Sequence, residues 1–353
     1  MNPGHDSHDS HGSHDSHDAT SSRLFRESAG ALPNSLALGY AAGGYLLGFV
    51  LMAQPHGIVA ALGVLLTTHA MVVAAYLVHE AAHYTLFASP AHNRAAGEAM
   101  GWIAGSAYAS FERIRHMHLR HHRERTDVTC FDYKAFLRRH GGLRRLAYAL
   151  EWAHVPAVEL LMHAQVMARP LLDRSQRNHL PRVIAVLAAR TALFAALAWV
   201  SPQAALLYLL SYVLLLAVLN FFDAFHHTFD QYFVDADVPV PMDGRDRAYE
   251  QANTWSNVLS TRHPWLNLLT INFGYHNAHH ERAATPWYAL PALNRSLFGE
   301  ATRELMPLRE LLRTWHRNRL KRVLDDDYGA VGSGPGRADG FIGAHGVSFL
   351  TVV

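Results

Sequence analysis

The sequence predicts an all-α fold in which four transmembrane helices form two hairpins beneath a helical cap. Three observations carry this expectation. Half of the 353 residues are hydrophobic and only 17% are charged, too apolar a balance for an ordinary soluble protein. The apolar residues gather into four stretches arranged in two pairs. Most of the arginines, and most of the histidines that the low-complexity start of the chain does not hold, lie outside those stretches.

In chain order, residues 1–22 contain "HDSHDSHGSHDSHD" (His5 to Asp18), a period-three repeat with nothing apolar to bury, which predicts a disordered arm. It has no apolar core of the kind a secretory signal needs. The first hairpin spans about 34–54 and 57–78, joined by Pro55-His56, and the second spans about 182–200 and 203–222, joined by Ser201-Pro202. Each stretch approaches the roughly 20 residues that an α-helix needs to cross ~30 Å of hydrocarbon. Leu143 to Met167 reads as an amphipathic cap helix on the membrane surface, and Arg309 to Leu324 as a basic helix suited to anionic lipid or an acidic carrier. The main domain is expected over 23–328, followed by a flexible Gly-rich tail at 329–353.

The two hairpin turns carry no Lys or Arg, whereas the segment between the pairs holds Arg94, Arg113, Arg115, Arg120, Arg123, Arg125 and several more. The positive-inside rule then predicts a cytoplasmic cap and cytoplasmic termini, as in a multi-pass protein of a bacterial inner membrane. These arginines are expected to meet lipid headgroups or an anionic substrate head. A net charge of +2 excludes a nucleic-acid binder, and the single cysteine excludes a disulfide framework or thiolate cluster.

Twenty-six histidines are the anomaly. "HEAAH" (His79, His83) follows the second span; "HMHLRHHRERTDV" contains HxxHH (His118, His121, His122); "HNAHH" (His276, His279, His280) repeats that spacing after the fourth span. Residues three and four apart share a helix face, so each box presents its imidazoles together, and all three emerge on one side of the membrane. One such box alone usually means solvated or core histidines; three so placed point to metal. Eight imidazoles exceed what one ion takes, which points to two ions. Thiolate-free imidazole ligation suits iron, copper or zinc, and open positions for O2 suit iron. In "NFFDAFHHTFD", His227 lies four residues after Asp223 and shares its helix face, while His226 points about 100° away. His227 is thus the favoured ninth ligand. Asp223 is the candidate catalytic carboxylate, fixing an imidazole or a bound water.

HxxxH, HxxHH and HxxHH separated by two apolar hairpins resemble the membrane fatty acid desaturase superfamily over roughly Leu36 to Leu293. The resemblance implies a cytoplasmic cap holding a non-haem di-iron centre that uses O2 and two supplied electrons to remove hydrogen from an acyl chain. The implied ligands are His79 and His83; His118, His121 and His122; His276, His279 and His280; and His227 as the extra histidine. The chain lacks the HPGG motif of a fused cytochrome b5 domain, the glutamine of front-end desaturases and the NYxEHYG-type motif of alkane monooxygenases. Desaturation of a fatty acid or fatty acyl chain is the expected activity. Oxidative decarboxylation to terminal alkenes, or hydroxylation of an acyl chain or carotenoid, are alternatives within the same superfamily.

With no flavin or haem motif, electrons must come from a separate carrier of ferredoxin or cytochrome b5 type with its reductase. A histidine-rich metal transporter is the non-enzyme alternative, but transporters place ionisable ligands near the midplane, where this sequence has only His69 and Arg190. His140, His154, His163 and His179 have no partner at ligand spacing. "TPWYALP" (Thr285 to Pro291) resembles the Pro-aromatic stretch after the last box in the superfamily, or simply turns the chain.

Overall fold

The computed structural model describes residues 23–233, 239–299, 305–332 and 336–351; the His/Asp/Ser-rich arm expected at 1–22 lies outside them. The described chain is mostly helical. Its elements are α1 (Ala31–Met52), α2 (Gly57–Ala82), α3 (Pro90–Ala104), α4 (Phe111–Glu124), β1 (Asp127–Thr129), α5 (Tyr133–Arg139), α6 (Gly141–Trp152), α7 (Ala157–Leu172), α8 (Leu180–Val200), α9 (Pro202–Asp223), β2 (Gln231–Phe233), α10 (Arg247–Ala252), α11 (His276–Glu281), α12 (Leu290–Phe298) and α13 (Leu308–Asn318). The strands form a single parallel pair, Asp127 opposite Gln231 through Thr129 opposite Phe233.

Among the described residues, four helices are long and apolar enough to cross a membrane, and they contain the four apolar stretches of the sequence. The first two pack as a close hairpin. A Cβ on Gly48 would lie 1.9 Å from the Thr67 hydroxyl oxygen, so glycine there lets the backbones approach as small residues do between helices in lipid. In the second hairpin α9 is capped by Ser201, whose hydroxyl accepts from Ala204 N, with Pro202 in the first turn. α2 continues past the expected end at Val78 to Ala82, carrying its histidines beyond the apolar run.

α3 packs back along α2 and ends at Gly105. The cation that interrupts the third apolar stretch, Arg190, donates from Nη2 to the Trp102 carbonyl at 2.7 Å and lies over the Trp102 ring. A cation at a helix C-terminus complements the partial negative charge of the final carbonyls. Arg182, near the other end of α8, pairs with Glu98 of α3 at 2.6 Å.

Three expectations need correction. The helix expected over 143–167 is two helices, because His154 takes a left-handed φ of 60° and Pro156 follows, which ends α6 and starts α7. Arg322, expected on a surface-seeking basic helix, is buried between Trp315 and Phe225 and donates to the carbonyls of Trp315 and Ile342. The Gly-rich segment expected as a flexible tail is packed over 336–351: Ala338, Phe341 and His345 are buried, and His345 Nδ1 meets Asn220 Oδ1 at 2.9 Å. Composition suggested looseness there, but glycine also permits close approach. Gly343, at φ +83°, passes where a Cβ would lie 2.7 Å from the Ala224 carbonyl oxygen.

Candidate metal centre

The centre forms where α2 and α9 end and the cap closes over them. HEAAH is the last turn of α2, so His79 and His83 stack on one face. α4 is started by Ser110, whose hydroxyl accepts from Arg113 N, and it presents His118, His121 and His122. α11 is only six residues long, beginning at His276 and carrying His279 and His280. His227 comes from the turn after α9 and bridges to Thr254.

The nine histidines singled out in the sequence all come together, in two groups. His79, His83, His118, His122 and His279 form one; His121, His227, His276 and His280 form the other. Within each group one ring nitrogen per residue lies within 4.8 Å of all the rest. Each HxxHH box is divided between them. His118 and His122, a full turn apart, join the first group while His121 joins the second; His276 and His280 join the second while His279 joins the first. Consecutive helical residues point about 100° apart, so one short helix can serve two adjacent centres. The single face expected for each box is therefore two faces.

The nitrogens face each other closely. His83 Nε2 lies 2.7 Å from His118 Nε2, His122 Nε2 lies 3.2 Å from His118 Nε2, and His279 Nε2 lies 3.1 Å from both His79 Nε2 and His122 Nε2. In the second group His227 Nε2 is 3.1 Å from His121 Nε2 and 2.9 Å from His276 Nε2. Nitrogens about 2.1 Å from a shared ion at right angles would be roughly 3.0 Å apart, so these spacings suit coordination edges.

Hydrogen bonds on the opposite side of several rings aim the Nε2 lone pairs inward. His79 Nδ1 meets Glu80 Oε1 at 3.2 Å, and Glu80 also accepts from the Thr85 hydroxyl and Trp287 N. His121 Nδ1 donates to the Thr126 carbonyl at 2.8 Å, and His280 Nδ1 to Glu250 Oε1 at 2.9 Å. Burial is the largest cause that holds His83, His118, His122, His227, His276, His279 and His280 well below the ordinary imidazole range, and neighbouring histidines add to it. Burial brings His121 down to about 4. Neutral, inward-aimed imidazoles are what a metal pair requires, and the residues fit it.

Asp223 lines the cavity of ≈ 60 Å³ beside both groups, together with Met117, Asp127, Phe273 and Ser348. Its Oδ1 is 3.9 Å from His226 Nδ1, and its Oδ2 has no hydrogen-bond partner among the described residues. The expected pairing with His227 does not form, because α9 stops at Asp223 and the four-residue periodicity stops with it. His226 lies outside both groups: its Nε2 meets Asn257 Oδ1 at 2.8 Å and its ring stacks on His276 with centroids 3.9 Å apart.

Several supports had no signal in the sequence. Glu250, on α10, holds His280 and accepts from Arg125 Nε at 3.0 Å. Burial pushes the Asp127 carboxyl up to about 8, and it lies 3.4 Å from His121 Nδ1. Trp287 of the Pro-aromatic stretch braces Glu80 and, through its indole, Asn34 of α1. The arginines of the α4 region are partly internal. Arg120 is buried against Glu124 at 2.8 Å and Arg125 is half-buried against Glu250, while Arg123 remains exposed. The expectation that all of them meet headgroups or substrate is corrected for those two.

The sequence profile of the fatty acid desaturase family matches residues 55–311, which include the three histidine boxes and three of the four apolar helices. No curated protein matches the chain. With a profile match over well over half its length, converging on the helices that carry the two nitrogen groups, the chain belongs to the fatty acid desaturase family.

Proposed function

We propose that this protein is an O2-dependent di-iron oxidoreductase that desaturates the aliphatic chain of a fatty acid or fatty acyl substrate. The observation that supports this most directly is the pair of adjacent imidazole groups at the end of four apolar helices. In this reading His79, His83, His118, His122 and His279 hold one iron, and His121, His227, His276 and His280 the other. The metal pair, when bound, supplies with O2 and two external electrons the oxidising power that side chains lack.

The remaining work falls to the chain itself. The transmembrane helices admit an apolar substrate from the bilayer, and Met117, Val128 and Phe273 offer an apolar lining beside the histidines. Asp223, with one oxygen unpaired, holds a water or a proton at the cavity wall. Glu80, Glu250 and the Thr126 carbonyl keep the imidazoles in the tautomer that points Nε2 inward. The cap lies on the cytoplasmic side, where a ferredoxin or cytochrome b5 type carrier with its reductase delivers the electrons.

The test is expression in a bacterial host, with iron per chain measured on the purified protein and lipids and headspace analysed by gas chromatography. Two irons and new internal double bonds are expected. Terminal alkenes or hydroxy acids would replace desaturation by decarboxylation or hydroxylation at the same centre. A zinc-loaded protein that moves zinc across vesicles and alters no lipid would overturn the enzyme reading.

A further inference from the structure

The cavity beside the histidines is too small for the substrate the proposed function requires. At ≈ 60 Å³ it is well below the roughly 300–1,000 Å³ of pockets that enclose small-molecule ligands. One of its walls must move before an aliphatic chain can lie against the metals. Most walls cannot move cheaply: His118 and His121 belong to α4, Asp223 to α9, and His276 to α11, all tied by helical hydrogen bonds.

One wall outside those helices is formed by Val347 and Ser348. The strap leading to it is anchored: Ala344 N donates to the Ala224 carbonyl at 3.0 Å, and Gly346 N to Glu159 Oε1 at 2.8 Å. Beyond Gly346 the backbone makes local turns, with Thr351 N donating to the Ser348 carbonyl at 3.2 Å. This short segment nonetheless reaches the centre of the protein. Leu350 is 2% exposed and belongs to the same apolar cluster as Met117, Leu215 and Leu219, and Ser348 lines the cavity together with Asp223. A short peptide ending in a single 3-10 turn (Phe349–Thr351) thus fills space between the end of α9 and α4, beside the imidazoles.

We propose that residues 347–351 occupy the acyl channel, and that a fatty acyl chain binds by displacing them while the strap up to Gly346 stays anchored. The proposal rests on the reading of the substrate as an acyl chain. It makes the segment an internal competitor, so apparent affinity is lowered by the fraction of molecules in which the channel is filled. Side-chain size at Val347 and Leu350 then sets how easily substrate enters.

Two measurements on the iron-loaded full protein test it. Deleting the chain from Val347 onward should tighten binding of radiolabelled palmitate by about tenfold or more, as expected when a closed state dominates. In the otherwise intact chain, Leu350→Cys should be protected from a thiol reagent without ligand and become labelled when palmitate saturates the protein; the native Cys130 is buried. Palmitate binding that is no tighter after truncation, with Leu350→Cys still protected at saturating palmitate, would overturn the displaced segment while leaving the acyl substrate intact. If neither form binds palmitate although both carry full iron, the acyl-chain reading fails, and the segment's role with it.

Discussion

His121 and His122 are neighbours in the chain, yet their rings serve different nitrogen groups: His121 Nε2 faces His227 at 3.1 Å, and His122 Nε2 faces His279 at 3.1 Å. The two HxxHH boxes interlock, since each sends two histidines to one centre and one to the other. Damage to either box therefore reaches both nitrogen groups.

The two neighbours should differ in degree. His121→Ala leaves its group three nitrogens, whereas His122→Ala leaves its group four. Both variants should lose turnover, with the larger loss of iron from His121→Ala. Iron per chain by mass spectrometry checks this. Full iron and normal turnover in His121→Ala would remove it from the centre. His226→Ala, which breaks only the Asn257 contact and the stacking on His276, should retain most of its iron, and His227→Ala should not.

Arg125 and Glu250 should matter to the metal and not to lipid. Removing the Glu250 carboxylate frees His280 Nδ1 and leaves Arg125 with only its bond to the Arg245 carbonyl. Partners that orient metal-bound histidines typically affect affinity or activity by about 10–100-fold. Glu250→Ala should fall in that range when titrated with ferrous iron, and Arg125→Ala should show a smaller loss of the same kind. The exposed Arg123, substituted by alanine, should leave iron affinity unchanged.

Stability should depend on pH through Glu159. Burial pushes its carboxyl up to about 7, where it accepts from Gly346 N. In an unfolded chain a glutamate titrates near pH 4.3, roughly 2.5 units lower, so the folded protein binds the proton more tightly. The stability this lends is fully present below about pH 4 and is lost as pH rises through about 7, a loss of about 3.5 kcal/mol. Glu159→Gln keeps an acceptor for Gly346 and cannot ionise, so its melting temperature in detergent should exceed that of the parent at pH 8 and approach it at pH 5. Equal differences at both pH values would assign the ionisation elsewhere.

Topology is open to direct labelling. A cysteine in the 201–202 turn should react from outside the cell, and one at the exposed Arg145 of α6 only after the membrane is opened. Reaction of both from the same side would exclude the four-span arrangement.

The helices and their membrane character were legible in the sequence because they depend on local quantities. An apolar run of twenty-odd residues needs no distant partner to be a span, and His79 and His83 share a face by helical geometry alone. The identity of the nine clustered histidines was also legible, since their spacing repeats and each box follows an apolar hairpin. What only the tertiary structure decided involves residues far apart in the chain. Which imidazole joins which group depends on the crossing of α2, α4 and α11. Glu250 became a support for His280 only when α10 packed beside α11. The Asp223–His227 register failed because a helix ended, which periodicity does not announce. The Gly-rich segment 336–351 looked free because its own sequence offers few contacts; its burial comes from Glu159, Asn220 and Ala224, whose approach no local pattern encodes.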